Sequence, residues 1–141
     1  MSWPITYVRK VRFSDTDLQG VVFNGNYFTY FDDVLTDYFE ALGLGWATFT
    51  DMGFDLVVAH VDIDFRSSAK LGENLVTGTR VQRIGTTSVT FALETREEQT
   101  GRLVVEGSEV YVIVDPATFR PVPVPEVLIE AVQSLQGPLE S

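Results

Sequence analysis

Residues 11–43 read VRFSDTDLQGVVFNGNYFTYFDDVLTDYFEALG, and the reading of this stretch decides the fold. It describes a short strand, a turn with two aspartates and a long helix rich in aromatics. Asp15 and Asp17 alternate with Ser14 and Thr16, which puts both carboxylates on one side of an extended segment. Gly20 and Gly25 bracket the run VVFN that enters the helix. An acid is thereby set close to a helix amino end, where free N–H groups and the macrodipole favour developing negative charge. Such a pairing suits acyl transfer, with a carboxylate to attack or to activate water and backbone donors for an oxyanion. Two structural turn aspartates fit the same letters, and Asp15 is expected to hydrogen-bond within the turn.

The helix is expected from about Asn24, which is a good N-cap, to a stop at Gly43 or Gly45. Thr29, Asp32, Asp33, Thr36, Asp37 and Glu40 share one face. Tyr27, Phe28, Tyr30, Phe31, Val34, Leu35, Tyr38, Phe39 and Leu42 fill the rest of the circumference. That arc is wider than the stripe of a surface helix. A curved sheet is the natural wrapper.

Upstream, Ile5–Phe13 reads as a first strand with Tyr7, Val8, Val11 and Phe13 as its apolar set. Downstream, Gly45–Gly53 is a connector with a short helical turn, followed by strand-like runs at Phe54–Arg66, Asn74–Arg83, Thr87–Glu97 and Arg102–Val114. In the last of these the apolar content is Val105, Val110, Val112 and Val114. Compact turn signals between the runs predict an antiparallel meander. RPVPVP (residues 120–125) is too proline-rich for a central strand, Glu126–Gln136 carries a weak helical period, and the terminal GPLES is expected to fray. The fold class is α+β: a single domain over 1–141 with a long central helix wrapped by a curved antiparallel sheet of about five strands. An open sheet has edges to cover, so a homodimer is expected.

With no cysteine and the single histidine His60, neither a disulfide nor a thiolate or histidine-rich metal site is expected. A formal net charge of −10 argues against nucleic acid or an anionic membrane as partner. The amino terminus lacks an apolar signal region and no apolar run reaches membrane-spanning length, so a cytoplasmic location is the default.

FSDTDLQGVVFNGNYFTYFDD resembles the signature of the hot-dog-fold acyl-CoA thioesterases of the 4-hydroxybenzoyl-CoA thioesterase type. Asp15, Asp17, Gly20, Val21, Val22 and Tyr27 fill its positions. FRSSAKLGENL, RIGTTS and EVYVIVDPATFRPVPVP continue the likeness in the same order through nearly the whole chain. The resemblance implies the hot-dog fold, dimers that pair into dimers of dimers, and hydrolysis of an acyl-CoA thioester to a free acid and coenzyme A. An acyl carrier protein is the alternative donor of the acyl group, and no cofactor or metal is implied.

By the same resemblance Asp17 is the nucleophile or general base, and the amides of Asn24 and Gly25 polarise the carbonyl. Tyr27 and His60 are expected in the substrate pocket. Many relatives carry histidine where this chain has Asn24, and asparagine cannot shuttle a proton near neutral pH. Aromatic-acyl relatives hold the nucleotide with a basic cluster at the bend matching Gly85, which is absent here. Arg66, Lys70, Arg83, Thr86 and Ser88 are the substitutes expected to bind coenzyme A. The alternative function is a non-catalytic acyl-CoA or acyl-carrier binding or scaffold protein of the same fold. A hot-dog dehydratase fits poorly, because His60 lies in no histidine-containing catalytic motif.

Overall fold

The computed structural model describes residues 3–139, so the last two residues of the GPLES tail lie outside it. In chain order the elements are β1 (Ile5–Lys10), a 3-10 turn (Phe13–Asp15), α1 (Asn26–Ala41), α2 (Trp46–Asp51), β2 (Asp55–Phe65), β3 (Asn74–Ile84), β4 (Ser88–Glu97), β5 (Leu103–Val114) and α3 (Glu126–Gln136). The strands form one antiparallel sheet in the order β1-β3-β4-β5-β2, the hot-dog arrangement.

The expected meander holds for β3 to β5, but β2 pairs with β5 instead of β3. The chain between β2 and β3 is no hairpin. Ala69 accepts the Val22 N–H at 2.8 Å and Lys70 bridges Val21, so this connection is tied to the segment before α1. β1 occupies the edge of β3 that a simple meander would give to β2. The first strand also ends early. Arg9 turns inward to Asp15, and Phe13 stands 82% exposed in the 3-10 turn instead of joining the core.

Helix α1 buries Tyr27, Tyr30, Phe31, Val34, Leu35, Tyr38 and Phe39, the wide apolar arc of its sequence. Tyr27, Tyr30, Phe31 and Val34 share a cluster with Leu75, Leu93 and Val105 near the amino end of the helix. Leu35, Tyr38 and Phe39 share another with Phe49, Phe91, Ile113 and Leu128. Gln136 of α3 receives the Tyr38 hydroxyl at 2.6 Å and exchanges two hydrogen bonds with the Val81 main chain (3.0 and 2.7 Å). The N-cap is Gly25, not Asn24, and it makes no side-chain cap. At the other end Gly43 adopts φ +75, and the Leu44 N–H bonds back to Phe39 O at 2.9 Å.

β2 and β1 are the two edges of the sheet. β2 is 11 residues long, and Val58 and Phe65 on it are each 51% exposed. Among the described residues, no helix is long and apolar enough to cross a membrane.

Where β2 meets β5, Gly107 pairs with Ile63, and a Cβ on Gly107 would run into the main-chain oxygen of Asp62 and lie 2.8 Å from the Ile63 Cα. Backbone cannot yield as a side chain can. Gly107→Ala is therefore expected to destabilise the protein by about 1–3 kcal/mol. The check is a lower urea midpoint at unchanged m-value.

Candidate active site

The two aspartates of the DTD turn have different fates. Asp15 is buried, and Arg9 donates to both of its oxygens, at 3.2 and 2.9 Å. The Arg12 N–H adds a third bond at 2.8 Å. The main-chain oxygen of Asp15 accepts from the Phe23 N–H at 2.9 Å and from Asn26 Nδ2 at 2.8 Å. One residue thus joins β1, the turn and the first residue of α1. Burial opposes the charge on Asp15, but the Arg9 guanidinium and the Arg12 amide outweigh it and hold the carboxyl below its ordinary range. The ring of Tyr30 lies 5.9 Å from the Arg9 guanidinium carbon.

Asp17 sits two residues on and is only partly buried. Its Oδ1 accepts the Gln19 N–H at 2.8 Å, an Asx turn that orients the carboxylate. Its main chain is fixed by Asp17 N–H to Val21 O and Gly20 N–H to Asp17 O, each 3.0 Å. Among the described residues no lysine or arginine is ion-paired to Asp17. Asp17 opens onto a groove of about 320 Å³, whose walls include Val21, Asn24, Tyr27, Phe65 and Ser68. Among the described residues the N–H groups of Asn24 and Gly25 donate to no protein acceptor. A free carboxylate and two free amides at a helix start therefore lie along one short stretch of chain.

Of the expected site residues, Asp17, Asn24 and Tyr27 are brought together in this groove, with Gly25 beside them as the N-cap. His60 is exposed on β2 and does not line it. Arg66 is ion-paired with Asp64 and Glu106, at 3.3 and 3.0 Å. Lys70 lies beside the groove, opposite Val21. Arg83, Thr86 and Ser88 lie around the β3–β4 bend, at the opposite end of β3 from the Asn74 terminus nearest Asp17. Sequence reasoning did not single out Phe65 and Ser67 as groove residues, although both fall where the run of β2 gives way to the FRSSAK segment. Ser67 donates to Leu103 O at 2.7 Å, and Arg102 reaches Ser68 O at 2.9 Å and both oxygens of Glu73 at 3.1 Å, bracing that wall.

A second acidic group was also passed over. Glu109 of β5 is buried, and one of its oxygens has no hydrogen-bond partner among the described residues. Burial first, and then the charge of Asp32 on α1, push this carboxyl up to about 7. Val110 and Val112, expected to supply the apolar content of this strand, are only half-buried. No group of three or more His, Cys, Asp or Glu among the described residues is placed to hold a metal ion.

The depressed Asp15 carboxyl makes an acid-stability prediction. Its folded pKa is below the unfolded value, so its contribution is complete above about pH 5 and is lost as pH falls through the folded pKa. Asp15→Asn leaves Arg9 without its partner and is expected to cost about 3 kcal/mol at pH 7. Urea denaturation should show the gap between wild type and variant closing as pH approaches 2, where the wild-type carboxyl is protonated as well.

The profile of the thioesterase-like superfamily matches residues 11–132. A thioesterase from Thermus thermophilus, solved with coenzyme A and Zn, is 26% identical, with a TM-score of 0.83 and 96% of each chain covered. A DHNA-CoA thioesterase from Staphylococcus aureus is 25% identical, with a TM-score of 0.83, covering 93% of this chain and 89% of that one. A curated Aquifex aeolicus protein with a provisional esterase name is 32% identical over 63 residues, which cover 45% of this chain and 49% of that protein. The chain spans about half to three-fifths of the length of the curated relatives it matches (49% and 61%). From the sheet order, the helix it wraps and a profile match running from Val11 to Val132, it follows that the chain belongs to the thioesterase-like superfamily of hot-dog proteins.

Proposed function

We propose that the chain is an acyl-CoA thioesterase, releasing a free acid and coenzyme A, with Asp17 as its nucleophile or general base. The observation that supports this best is the conjunction at the groove: a carboxylate with no ion pair among the described residues, and the amides of Asn24 and Gly25, with no acceptor among them, close by in the chain. As a nucleophile, Asp17 adds to the thioester carbonyl and expels the thiolate. The resulting mixed anhydride is then hydrolysed by water. As a general base, Asp17 takes a proton from a water that attacks directly. In both routes the amides at the helix start receive the negative charge that gathers on the carbonyl oxygen. Asn24 has no titratable proton, so the proton traffic falls to Asp17 and water.

Tyr27 and Phe65, with ring centroids 6.0 Å apart, give the groove an aromatic wall suited to an apolar acyl group, aromatic or medium to long aliphatic. The Staphylococcus aureus relative, named for DHNA-CoA, adds support for a coenzyme A thioester. The long β2 edge, with Val58 and Phe65 half-exposed, supports a homodimer built on that strand, with dimers pairing further.

The test is thiol release from short, medium and long aliphatic acyl-CoAs and from benzoyl- and phenylacetyl-CoA. Wild type is expected to hydrolyse one class, and Asp17→Asn to lose about two or more orders of magnitude in kcat. Equal activity of the variant overturns the role of Asp17. A wild type that binds acyl-CoA and turns over nothing on the panel makes the chain an acyl-CoA binding protein.

A further inference from the structure

We propose that Lys10, Arg12 and Lys70, with the exposed ring of Phe13, seat the nucleotide end of the coenzyme A thioester, an inference that rests on the thioesterase reading above. In a chain of net charge −10 the position of the unpaired cations carries information. Arg9, Arg66, Arg96 and Arg102 are each ion-paired; of the six cations without an ion pair among the described residues, Lys10, Arg12 and Lys70 lie on adjoining segments, while Arg80, Arg83 and Arg120 lie elsewhere. Lys10, Arg12 and Lys70 are all exposed.

The main chain brings them to one place. Val11 N–H bonds to Glu73 O at 2.9 Å and Gly72 N–H to Val11 O at 3.0 Å, so Lys10 and Arg12 flank the strand end that lies against residues 70–73. Val11 and Ala69 point into the core, which leaves their neighbours Lys10, Arg12 and Lys70 outside. Lys70 faces Val21 in an antiparallel bridge, and residues directly opposed in such a bridge project to the same side. Val21 and Ser68 line the Asp17 groove, so Lys70 stands on its rim.

Two of the acids nearest this rim are engaged elsewhere. Glu73 is paired with Arg102 at 3.1 Å, and Asp15 with Arg9 at 2.9 Å. These segments thus carry three unpaired cations beside the one free carboxylate of Asp17, although the whole molecule is acidic. Next to these cations in the chain, Phe13 is 82% and Leu71 59% exposed, and the Phe13 ring offers a face on which a base can stack. Phosphates and a purine joined to a thioester by a long neutral arm match that arrangement.

The bend holding Arg83, Thr86 and Ser88 is a poorer seat within one protomer. It lies at the far end of β3, and at about 3.3 Å per residue an 11-residue strand puts it roughly 30 Å away. An acidic carrier protein is disfavoured on charge. Screening over about 8–10 Å lets a small polyanion feel the rim alone, whereas a large acidic surface meets the −10 chain as a whole.

The decisive experiment titrates adenosine 3′,5′-bisphosphate and free coenzyme A into the intact protein by calorimetry, independently of hydrolysis. Arg12→Gln/Lys70→Gln is expected to raise both dissociation constants by about tenfold or more, the loss of charge-assisted bonds to phosphate. Raised salt should weaken wild type more than the double variant. Arg80→Gln, which removes an equally unpaired cation elsewhere on the sheet, should bind as wild type does, and unchanged melting temperatures establish that the variants fold. The proposal is overturned if the rim variant binds both ligands normally, or if Arg83→Gln carries the loss, which would assign the nucleotide to a bend supplied by a second copy. It is equally overturned if the thioester of an acyl-loaded carrier protein is hydrolysed in preference to the matching acyl-CoA. Failure of the parent reading is distinct: tight, rim-dependent binding with no turnover removes the enzyme and leaves the seat.

Discussion

The aromatic side of α1 has to leave water, and the rest of the molecule is arranged to let it. Full burial of one large apolar side chain contributes about 1.5–3 kcal/mol, and seven residues of this helix are buried. A flat layer would cover a stripe; an arc this wide needs a surface that curves around it. Tyr38 meets Phe91 edge-on with centroids 5.7 Å apart, Phe91 meets Tyr111 in the same way at 5.7 Å, and Phe39 leans on Phe49 at 6.1 Å. These contacts settle the axis of the helix against the strands. They thereby settle where its amino end emerges.

Electrostatics completes what packing begins. Asp15 and Asp17 are the same residue type two positions apart, yet one is committed to holding the chain and the other is left accessible. The difference is Arg9, whose inward turn provides a guanidinium for a carboxylate that burial alone would disfavour. Through the Asp15 carbonyl, Phe23 and Asn26 are drawn to the same point, so the segment from Asp17 to Gly25 is held at both ends. The proposed catalytic role of Asp17 needs this kind of support, because small errors of position are costly when bonds are made and broken. The arrangement also separates two charges: the one that stabilises the fold is not the one left open to the groove.

Net charge describes a molecule poorly at the scale of a ligand. Twenty acidic residues outnumber ten basic ones here, yet ion pairs absorb Asp15 and Glu73 beside the Asp17 groove. Beyond a Debye length the protein is an anion; at the rim of the groove it presents cations and an aromatic ring. Glu109 shows the opposite case, an acid removed from water under the sheet with half its hydrogen-bonding capacity unused.

Much of this was legible in the letters. The helix, its apolar arc, the strand runs and the C-terminal helix Glu126–Gln136 follow from local periodicity, which depends only on residues a few positions apart. Asp17, Asn24 and Tyr27 could be grouped because they lie within one short stretch of chain. What the sequence could not disclose depends on residues far apart in it. The pairing of β2 with β5, the inward turn of Arg9, the burial of Glu109 in place of Val110 and the walls that Phe65 and Ser67 lend to the groove all arise from such contacts. Even the N-cap moved from Asn24 to Gly25, since the cap is set where the Asp15 carbonyl anchors the chain. By itself the sequence determined which segments are helix and strand and which carboxylates stand near a helix start. Only the tertiary structure decided which of those carboxylates is neutralised and which is free, because that depends on the cation that packing brings within reach.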